Sequence, residues 1–355
     1  MNNKQYKDAM TPKERVAALR AGQPYDRVPC NPSISGHAAR VTGITVAEYH
    51  LSAEKMAAAQ LAAYRTYGHD FVSVSAILGI VHALGGSVRY PQQGSPYITG
   101  QVVKEYADLD RLPPLHRENE HLQLCFRAAE ILVAKLGDEV PVAIGLRAPF
   151  STAATLRGVE PFMRELYFKP EQVHRLLQIT LDNLITVIQA IVNLGAAVSI
   201  SDPVASGSLI SSRHYREFAL PYTQKLIAAV KAAGGSAPTL HICGNTKKIW
   251  TAMADTGAGT LSVEDNIDLT EIKQAVGDRV IIAGNIRPAE AMYLGKPADV
   301  VADVKKGLRQ AFDSPKGYIV QLGCGLPIDT PPANIHALIS AVRQYGRYPL
   351  RPEHF

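Results

Sequence analysis

The chain of 355 residues has few cysteines and no long apolar run, and both shortages exclude classes of protein. Its four cysteines show no paired framework of the kind that staples small secreted domains, so we expect free or metal-bound thiols in a reducing compartment. No uninterrupted apolar stretch reaches the roughly 18 residues of a membrane helix, and the opening segment mixes polar with charged residues. These features predict a cytoplasmic protein without a membrane span.

The sequence also lacks a concentration of charge of one sign. Its formal net charge of +5 is spread along the chain, and no run of lysine and arginine alternates with aromatic residues as a nucleic-acid groove would require. We therefore expect no nucleic-acid partner. Apolar residues make up 46% of the chain and charged residues 19%, which is enough to bury a large core, so a globular chain is predicted throughout.

What the sequence does contain is a regular alternation of short β-rich runs with long helical patterns. In the helical patterns, apolar residues recur at three- and four-residue spacing, which is typical of helices that cover a core with one face. The predicted strands lie at residues 27–30, 71–75, 141–146, 197–201, 239–242, 260–263, 280–283 and 318–322. Because eight strands separated by helices close a parallel barrel, we predict an α/β fold, the (β/α)8 TIM barrel.

We predict one domain over residues 1–355, with two segments added to the barrel. Residues 1–26 are predicted to form an N-terminal helical extension, in which Thr11 caps a helix that begins at Pro12. Residues 85–112 hold several glycines and prolines and fit the alternation poorly, which predicts an extended loop or a small hairpin near the barrel mouth. Two interpretations of this insertion stay open, a lid over the mouth and a passive excursion.

Polar residues follow the predicted strands at their carboxyl ends, where parallel barrels gather their active sites. His241 and Cys243 lie two residues apart, so strand alternation points both side chains to one side of the backbone. Cys324 ends a distant strand on the same rim. Two thiolates and an imidazole are ligands typical of zinc, and three protein ligands leave a fourth position open. The alternative is an ordinary buried histidine with two buried cysteines.

Further rim residues are candidates for catalysis and substrate binding. Asp202 and Glu264 are predicted to be catalytic. Either carboxylate could orient His241, bind substrate or act as a fourth zinc ligand, and Glu264 is our candidate for the fourth ligand. A solvated loop is the alternative for Glu264. Arg147, Asn245 and Asn285 are the candidate substrate-binding residues. Arg147 could bind an anion at the barrel mouth, and the alternative is that it forms a structural ion pair.

Motifs along nearly the whole chain resemble the uroporphyrinogen decarboxylase superfamily and, within it, the cobamide-dependent methyltransferases. His-x-Cys with a distant Cys is the most specific of them, and it is similar to the zinc motif of methylcobamide:coenzyme M methyltransferases. The other motifs lie at residues 10–15 (MTPKER), 26–29 (DRVP), 148–151 (APFS), 201–203 (SDP), 218–222 (FALPY), 241–245 (HICGN) and 283–286 (AGNI).

The resemblance implies a zinc-dependent methyltransferase that moves a methyl group between a corrinoid protein and a small molecule. The expected acceptor is a zinc-activated thiol such as coenzyme M. The opposite direction stays open, with a donor such as a phenyl methyl ether or methanol giving its methyl group to reduced corrinoid, as in an O-demethylase. The chain has no cobalamin-binding segment of the Asp-x-His-x-x-Gly kind, so methylcobamide is expected to arrive on a separate protein.

Two further functions of the superfamily's fold are weighed against this one. Similar decarboxylases carry an aspartate in a Ser-Asp-Ile-Leu segment and an arginine-rich N-terminal loop. Here Ala76 replaces that aspartate, and residues 31–36 read NPSISG, so the sequence argues against uroporphyrinogen decarboxylation. The other alternative is a non-enzymatic barrel that binds a corrinoid or another tetrapyrrole without a requirement for zinc.

Overall fold

The fold is a closed parallel barrel, seen in a computed structural model that describes residues 8–92 and 94–355. Strands in these residues are β1 (Cys30–Asn31), β2 (Val72–Ser75), β3 (Ser87–Arg89), β4 (Tyr97–Thr99), β5 (Val142–Arg147), β6 (Ala197–Ser201), β7 (Thr239–His241), β8 (Thr260–Ser262), β9 (Ile281–Ile286) and β10 (Tyr318–Leu322). Eight of them pair in parallel in the order β1-β10-β9-β8-β7-β6-β5-β2. The backbone N–H of Asp70 donates to the carbonyl of Cys30 (3.0 Å), which joins the two ends of the sheet. The predicted (β/α)8 barrel is confirmed.

Helices connect the strands and bury their apolar faces against the outside of the barrel. The α-helices of the described residues are α1 (Pro12–Ala21), α2 (His37–Thr42), α3 (Val46–Leu51), α4 (Ala53–Tyr67), α5 (Ile77–Ala83), α6 (Glu120–Leu136), α7 (Pro149–Arg157), α8 (Val159–Phe168), α9 (Pro170–Asn193), α10 (Ser212–His214), α11 (Leu220–Ala232), α12 (Trp250–Asp255), α13 (Leu269–Val276), α14 (Pro297–Ala311) and α15 (Pro332–Tyr345). Turns of π-helix occupy Tyr215–Ala219 and Pro288–Tyr293.

Helix α1 closes the amino-terminal end of the barrel. The Thr11 side chain accepts from the backbone N–H of Glu14, and the Glu14 carboxylate accepts from that of Thr11, so the predicted N-cap forms a reciprocal capping box. At the other end of the helix, Leu19 packs with Ile281, Ala283 and Ile319 in a small apolar cluster separate from the main core. Residues 1–7 of the predicted extension lie outside the described residues.

A buried ion network lies where α1 meets the first strands. Asp70 binds Nη1 of Arg15 at 2.6 Å and Nη1 of Arg27 at 2.7 Å, and it also accepts from the backbone N–H of Cys30 at 2.6 Å. The predicted strand 27–30 is therefore wrong over its first residues, because Arg27 turns its side chain into this network and β1 begins at Cys30. Arg15 and Arg27 lie in the two N-terminal motifs, at residues 10–15 and 26–29, that contribute to the resemblance. These two arginines therefore stabilise the barrel and are not part of its polar rim.

The insertion at residues 85–112 contains a small antiparallel hairpin. Ser87 pairs with Thr99 and Arg89 with Tyr97, and a short 3-10 helix follows at Tyr106–Arg111. The hairpin follows α5, which itself begins just past the carboxyl end of β2. The segment thus emerges on the side of the barrel that carries the polar residues.

Helix α9 is long and apolar enough to cross a membrane by length and composition alone. Half of its most apolar window is buried inside the protein, through residues such as Leu176, Leu184 and Ile188. The core helix of a water-soluble barrel passes the same test. The absence of a membrane span stays a prediction.

Candidate metal centre

The structure brings the three predicted metal ligands together at the carboxyl ends of β7 and β10. His241 is the last residue of β7, Cys243 follows it by two residues, and Cys324 follows the end of β10 by two. One ligand atom from each lies within 4.8 Å of the other two, and all three side chains are half-buried. Gly244 turns the chain away directly after Cys243 with φ of 72°, a backbone conformation that favours glycine.

Two neutral side chains orient the imidazole of His241. Its Nδ1 lies 3.1 Å from Oγ of Ser262, and the same oxygen accepts a hydrogen bond from Nε2 of Gln321 at 2.7 Å. Nε2 of His241 is thereby turned toward the thiols and lies 3.2 Å from Sγ of Cys243. Asn31 extends the chain of contacts, because its Nδ2 donates to Oε1 of Gln321 at 3.1 Å.

The two thiols share one site, where Cys324 favours the thiolate form and Cys243 the protonated form. Hydrogen bonds from Cys243 and then His241 lower the pKa of Cys324 to about 4. The hydrogen bond to Cys324 is the largest cause that raises the pKa of Cys243, followed by burial and by the negative charges of Cys324 and Glu264. One thiolate is therefore stabilised by the other thiol.

This set of donors fits a zinc ion. Two sulfur atoms and one imidazole nitrogen are the ligands of known catalytic zinc sites, and three protein ligands leave one position for a substrate. The ring contact to Ser262 resembles the acceptors that hold metal-binding imidazoles through their second nitrogen. Among the described residues, the cluster contains these three donors and does not include the carboxylate of Glu264.

Glu264 and Asn285 lie beside the cluster and support one loop. The backbone N–H of Gly244 donates to Oε2 of Glu264, which places this carboxylate one residue past Cys243. Nδ2 of Asn285 donates to the carbonyls of Glu264 at 3.0 Å and Ile267 at 2.6 Å. Asn285 thus holds the loop that carries Glu264. A fourth-ligand role for Glu264 and substrate binding by Asn285 stay predictions.

Asp202 directly follows β6 and is buried beside the end of the neighbouring strand β7. Its backbone N–H donates to the carbonyl of His241 at 2.8 Å, and its Oδ1 accepts from both the N–H (3.0 Å) and the hydroxyl (2.5 Å) of Ser151. Its Oδ2 is buried without a partner in the described residues. Burial raises the pKa of Asp202 to about 7, against the opposing hydrogen bonds from Ser151 and the charge of Arg147.

Arg147 and Tyr215 also have buried polar atoms without partners near this carboxylate. Nη1 of Arg147 donates to Oγ1 of Thr155 at 3.1 Å, whereas its Nε has no partner in the described part of the chain, and neither has the hydroxyl of Tyr215. Burial lowers the pKa of Arg147, and the charges of Asp202 and Cys243 oppose that shift. Arg147 thus lies within electrostatic reach of both the buried carboxylate and the thiols, whereas an ion pair is absent from its contacts in the described residues.

Asn245 is exposed, and its side chain stabilises the turn in which it lies. Its Oδ1 accepts from the backbone N–H of Lys247 at 3.1 Å, and its N–H donates to Oγ of Ser208 at 3.1 Å. Substrate binding by its side chain stays a prediction.

Sequence reasoning missed Ser262 and Gln321 as partners of His241. A signal for Gln321 was present, since it is the one amide in the otherwise apolar run of β10. Ser262 carried a weaker signal, as a polar residue two positions before Glu264 on a strand whose inner face reaches the site.

The fold and the site together define the class: a TIM barrel with a cluster of one histidine and two cysteines at the carboxyl ends of its strands. Residues 11–345 match the family described as uroporphyrinogen decarboxylase (URO-D). The chain belongs to this family.

Similar proteins within the family carry methyltransferase names. Methylcobamide:CoM methyltransferase MtbA of Methanosarcina mazei is 32% identical over 343 residues, which cover 94% of this chain and 98% of that protein. Methylcobamide:CoM methyltransferase MtaA of Methanosarcina barkeri is 30% identical over 342 residues, with the same two coverages of 94% and 98%. A solved methyltransferase structure from Methanosarcina mazei superimposes with a TM-score of 0.86 at 28% identity, covering 95% of this chain and 99% of that one. The predicted family and its methyltransferase branch are confirmed.

Proposed function

We propose that this chain is a zinc-dependent methyltransferase that transfers a methyl group from methylcobamide, carried on a separate corrinoid protein, to a small thiol. The observation that carries the proposal is the convergence of His241, Cys243 and Cys324, whose donor atoms lie within 4.8 Å of one another at the carboxyl ends of the barrel strands. The names of the relatives support the methylcobamide donor and a thiol acceptor such as coenzyme M.

The three ligands give this centre its chemistry. Zinc held by them would lower the pKa of a bound acceptor thiol, so that thiolate is present near neutral pH, where a free thiol with a pKa of about 8.5 is mostly protonated. As thiolates on such a metal, Cys243 and Cys324 would supply negative charge, which would keep the acceptor sulfur electron-rich. Ser262 and Gln321 fix the ring of His241 so that its Nε2 faces the cluster.

The groups around the cluster suit a reaction in which a negatively charged thiolate is the nucleophile. The acceptor sulfur takes the methyl group, and the electron pair of the carbon–cobalt bond stays with the corrinoid. Arg147 contributes a positive charge close to Cys243, where a thiolate acceptor would carry negative charge. Asp202 holds the end of β7 through its backbone N–H and the start of α7 through Ser151. We assign to Asp202 the positioning of His241, and to Arg147 the binding of an anionic group.

The first experiment measures the zinc content of the purified protein and of two variants. One zinc per chain is expected in the unchanged protein and in Cys125→Ala, a matched control because Cys125 is a buried free cysteine in α6, outside the cluster. Cys243→Ala should lose the metal. Zinc that is absent, or that is indifferent to Cys243, would contradict the proposal and favour a non-enzymatic tetrapyrrole-binding barrel.

A second experiment decides the direction of transfer. Methylcobalamin is mixed with 2-mercaptoethanesulfonate (coenzyme M), and the release of cob(I)alamin is followed by its absorbance under anoxic conditions. In the reverse arm, cob(I)alamin is mixed with methanol or a phenyl methyl ether. We expect demethylation of methylcobalamin by the thiol. Methylation of cob(I)alamin alone would instead assign the chain to the methyl-donor half of such a pathway.

A further inference from the structure

Cys324 reaches the cluster on an irregular loop. Residues 323–331, which we call the Cys324 loop, connect β10 to α15. At the start of the loop, the backbone N–H of Gly323 donates to the carbonyl of Ile286 at 2.9 Å. A Cβ placed on Gly325 would meet no atom within 4 Å, so the backbone next to Cys324 is not packed on that side. Contacts further along the loop therefore contribute to the position of the Cys324 sulfur.

A buried histidine holds the far part of this loop. His37, the first residue of α2, is 0% exposed, and its Nδ1 lies 2.8 Å from the carbonyl oxygen of Ile328, four residues after Cys324. Its Nε2 lies 2.9 Å from the hydroxyl of Tyr67. Because a carbonyl oxygen only accepts, Nδ1 carries the proton of the neutral ring, and the Tyr67 hydroxyl donates to Nε2. Both ring nitrogens of His37 are thus paired.

The ring of His37 is also fixed from the side of α4. Tyr67 is the last residue of that helix and is 2% exposed. Its ring packs edge-on against the ring of His336 in α15, with 5.1 Å between the centroids. Burial lowers the pKa of His37, which favours the neutral form with one donor and one acceptor. A fixed imidazole therefore directs its single N–H at the Cys324 loop.

Two further contacts join α2 to the same loop. A Cβ placed on Gly36 would lie 3.3 Å from Cγ1 of Ile328, so the backbone before His37 packs closely against this side chain. Nη1 of Arg40 lies 2.7 Å from Oδ1 of Asp329, but both side chains are exposed, and exposed ion pairs stabilise little. Loss of the His37 bond would instead leave the partly buried carbonyl of Ile328 without its donor, which is the more costly change.

We propose that His37 is a positioning residue for the metal centre, because its hydrogen bond to Ile328 holds the Cys324 loop where the sulfur of Cys324 meets His241 and Cys243. The inference rests on the proposed function, since it takes Cys324 as a metal ligand. His37 itself contacts neither thiol and acts only through the loop. Loss of its donor should therefore weaken the contribution of Cys324 and leave the other two ligands in place.

Two variants separate the hydrogen bond of His37 from the space that its ring fills. His37→Leu keeps most of the volume and removes the donor. His37→Asn loses volume but places an amide N–H close to the position of Nδ1, where it can still donate to the carbonyl of Ile328. His69→Leu is the matched control, because His69 is a buried histidine whose ring nitrogens have no partner in the described residues.

The measurement uses cobalt(II) in place of zinc, so that the readout does not depend on methyl transfer. Competition with a chelator gives the affinity, and the sulfur-to-cobalt charge-transfer band at saturation reports the bound thiolates. Cys324→Ala provides the reference band for a site without this ligand. His37→Leu should bind cobalt about tenfold more weakly, the lower end of the range for lost outer contacts of metal sites, and its band should approach that of Cys324→Ala. His37→Asn and His69→Leu should resemble the unchanged protein in affinity and band.

The outcomes separate this inference from the proposed function. If the unchanged protein gives no charge-transfer band, or if Cys324→Ala gives the same band, the ligand set is wrong and the proposed function fails. If Cys324→Ala changes the band but His37→Leu does not alter band or affinity, only the present inference is overturned. A larger loss in His37→Asn than in His37→Leu would also overturn it, because the ring would then act through its volume.

A milder variant tests the same contact if His37→Leu does not fold. Tyr67→Phe removes the hydroxyl that pairs with Nε2 and leaves the packing of the aromatic ring in place. The imidazole is then less firmly oriented toward Ile328, so cobalt affinity should fall by a smaller factor than in His37→Leu, and His37→Asn should still resemble the unchanged protein. Unchanged affinity and an unchanged band in Tyr67→Phe, together with a loss in His37→Asn, would overturn the role of the hydrogen bond.

Discussion

Ser262 holds the imidazole of His241 from the side opposite Cys243: its Oγ lies 3.1 Å from Nδ1, while Nε2 lies 3.2 Å from the sulfur of Cys243. Gln321 donates to the same oxygen at 2.7 Å and so fixes the serine in turn. A ring held in this way presents Nε2 to a metal with little loss of freedom on binding. Contacts of this kind contribute to metal affinity although they touch no metal.

Ser262→Ala should therefore weaken zinc binding by about 10- to 100-fold, the range found for lost partners of metal-binding imidazoles. Competition with a chromophoric chelator measures the affinity. Ser208→Ala is a suitable control, because Ser208 accepts from the backbone N–H of Asn245 and does not contact His241. Equal affinities in the two variants would show that the ring needs no support from Ser262.

Cys324→Ala should remove the second thiolate and lower zinc affinity while the fold stays intact. The reason is that Cys324 lies in a loop after β10 and is only half-buried, so its loss opens no cavity in the main core. Methyl transfer to the thiol should disappear with the metal. Circular dichroism and zinc content measure the two effects, and a variant that retains both zinc and activity would contradict the ligand set.

Asp70→Asn tests the ion network below the barrel. The carboxylate is fully buried and is shared by Arg15 and Arg27, whose side chains are 0% and 2% exposed, so its removal leaves two buried cations short of a partner. We expect a loss of about 3–5 kcal/mol in the free energy of unfolding, as for other broken buried pairs. Urea denaturation measures it. Asp138→Asn serves as the control, because Asp138 is fully exposed and its nearest cation lies 3.8 Å away; a comparable loss there would contradict the argument.

The features of this molecule that could be predicted from its sequence are those that local patterns of residues determine. Eight strands were located because apolar runs alternate with helical spacing, and the cluster was located because each ligand stands at or just past a strand end, where a parallel barrel collects its side chains. The first strand was misplaced because Arg27, which reads as part of an apolar run, is paired with Asp70, 43 residues further on. A partner at that separation leaves no local signal.

The set of side chains that meet inside the barrel could not be predicted for a similar reason. Ser75, Gly145 and Ser199 are each unremarkable in their own strands, and only the pairing of β2, β5 and β6 places them side by side. The roles of Ser262 and Gln321 depend on the same kind of register between distant strands. Side-chain direction follows from strand alternation, whereas the neighbour across the sheet follows only from the closed barrel.

A pH dependence of stability is expected from His69, which lies beside the ion network. Its side chain is buried, its two ring nitrogens have no partner in the described residues, and burial lowers its pKa to about 4. Since this value lies below the unfolded pKa of about 6.5, the folded state holds the ring neutral, and protonation favours unfolding. The free energy of unfolding therefore keeps its full value above about pH 6.5 and decreases as the pH falls toward 4. The decrease due to His69 is up to about 3 kcal/mol, at about 1.4 kcal/mol per pH unit.

In His69→Phe the decrease due to His69 should vanish, so the difference in unfolding free energy between the two proteins should shrink or reverse on acidification. Urea denaturation at pH values of about 7, 6, 5 and 4 measures that difference, and parallel curves for the two proteins would show that His69 is not buried in its neutral form.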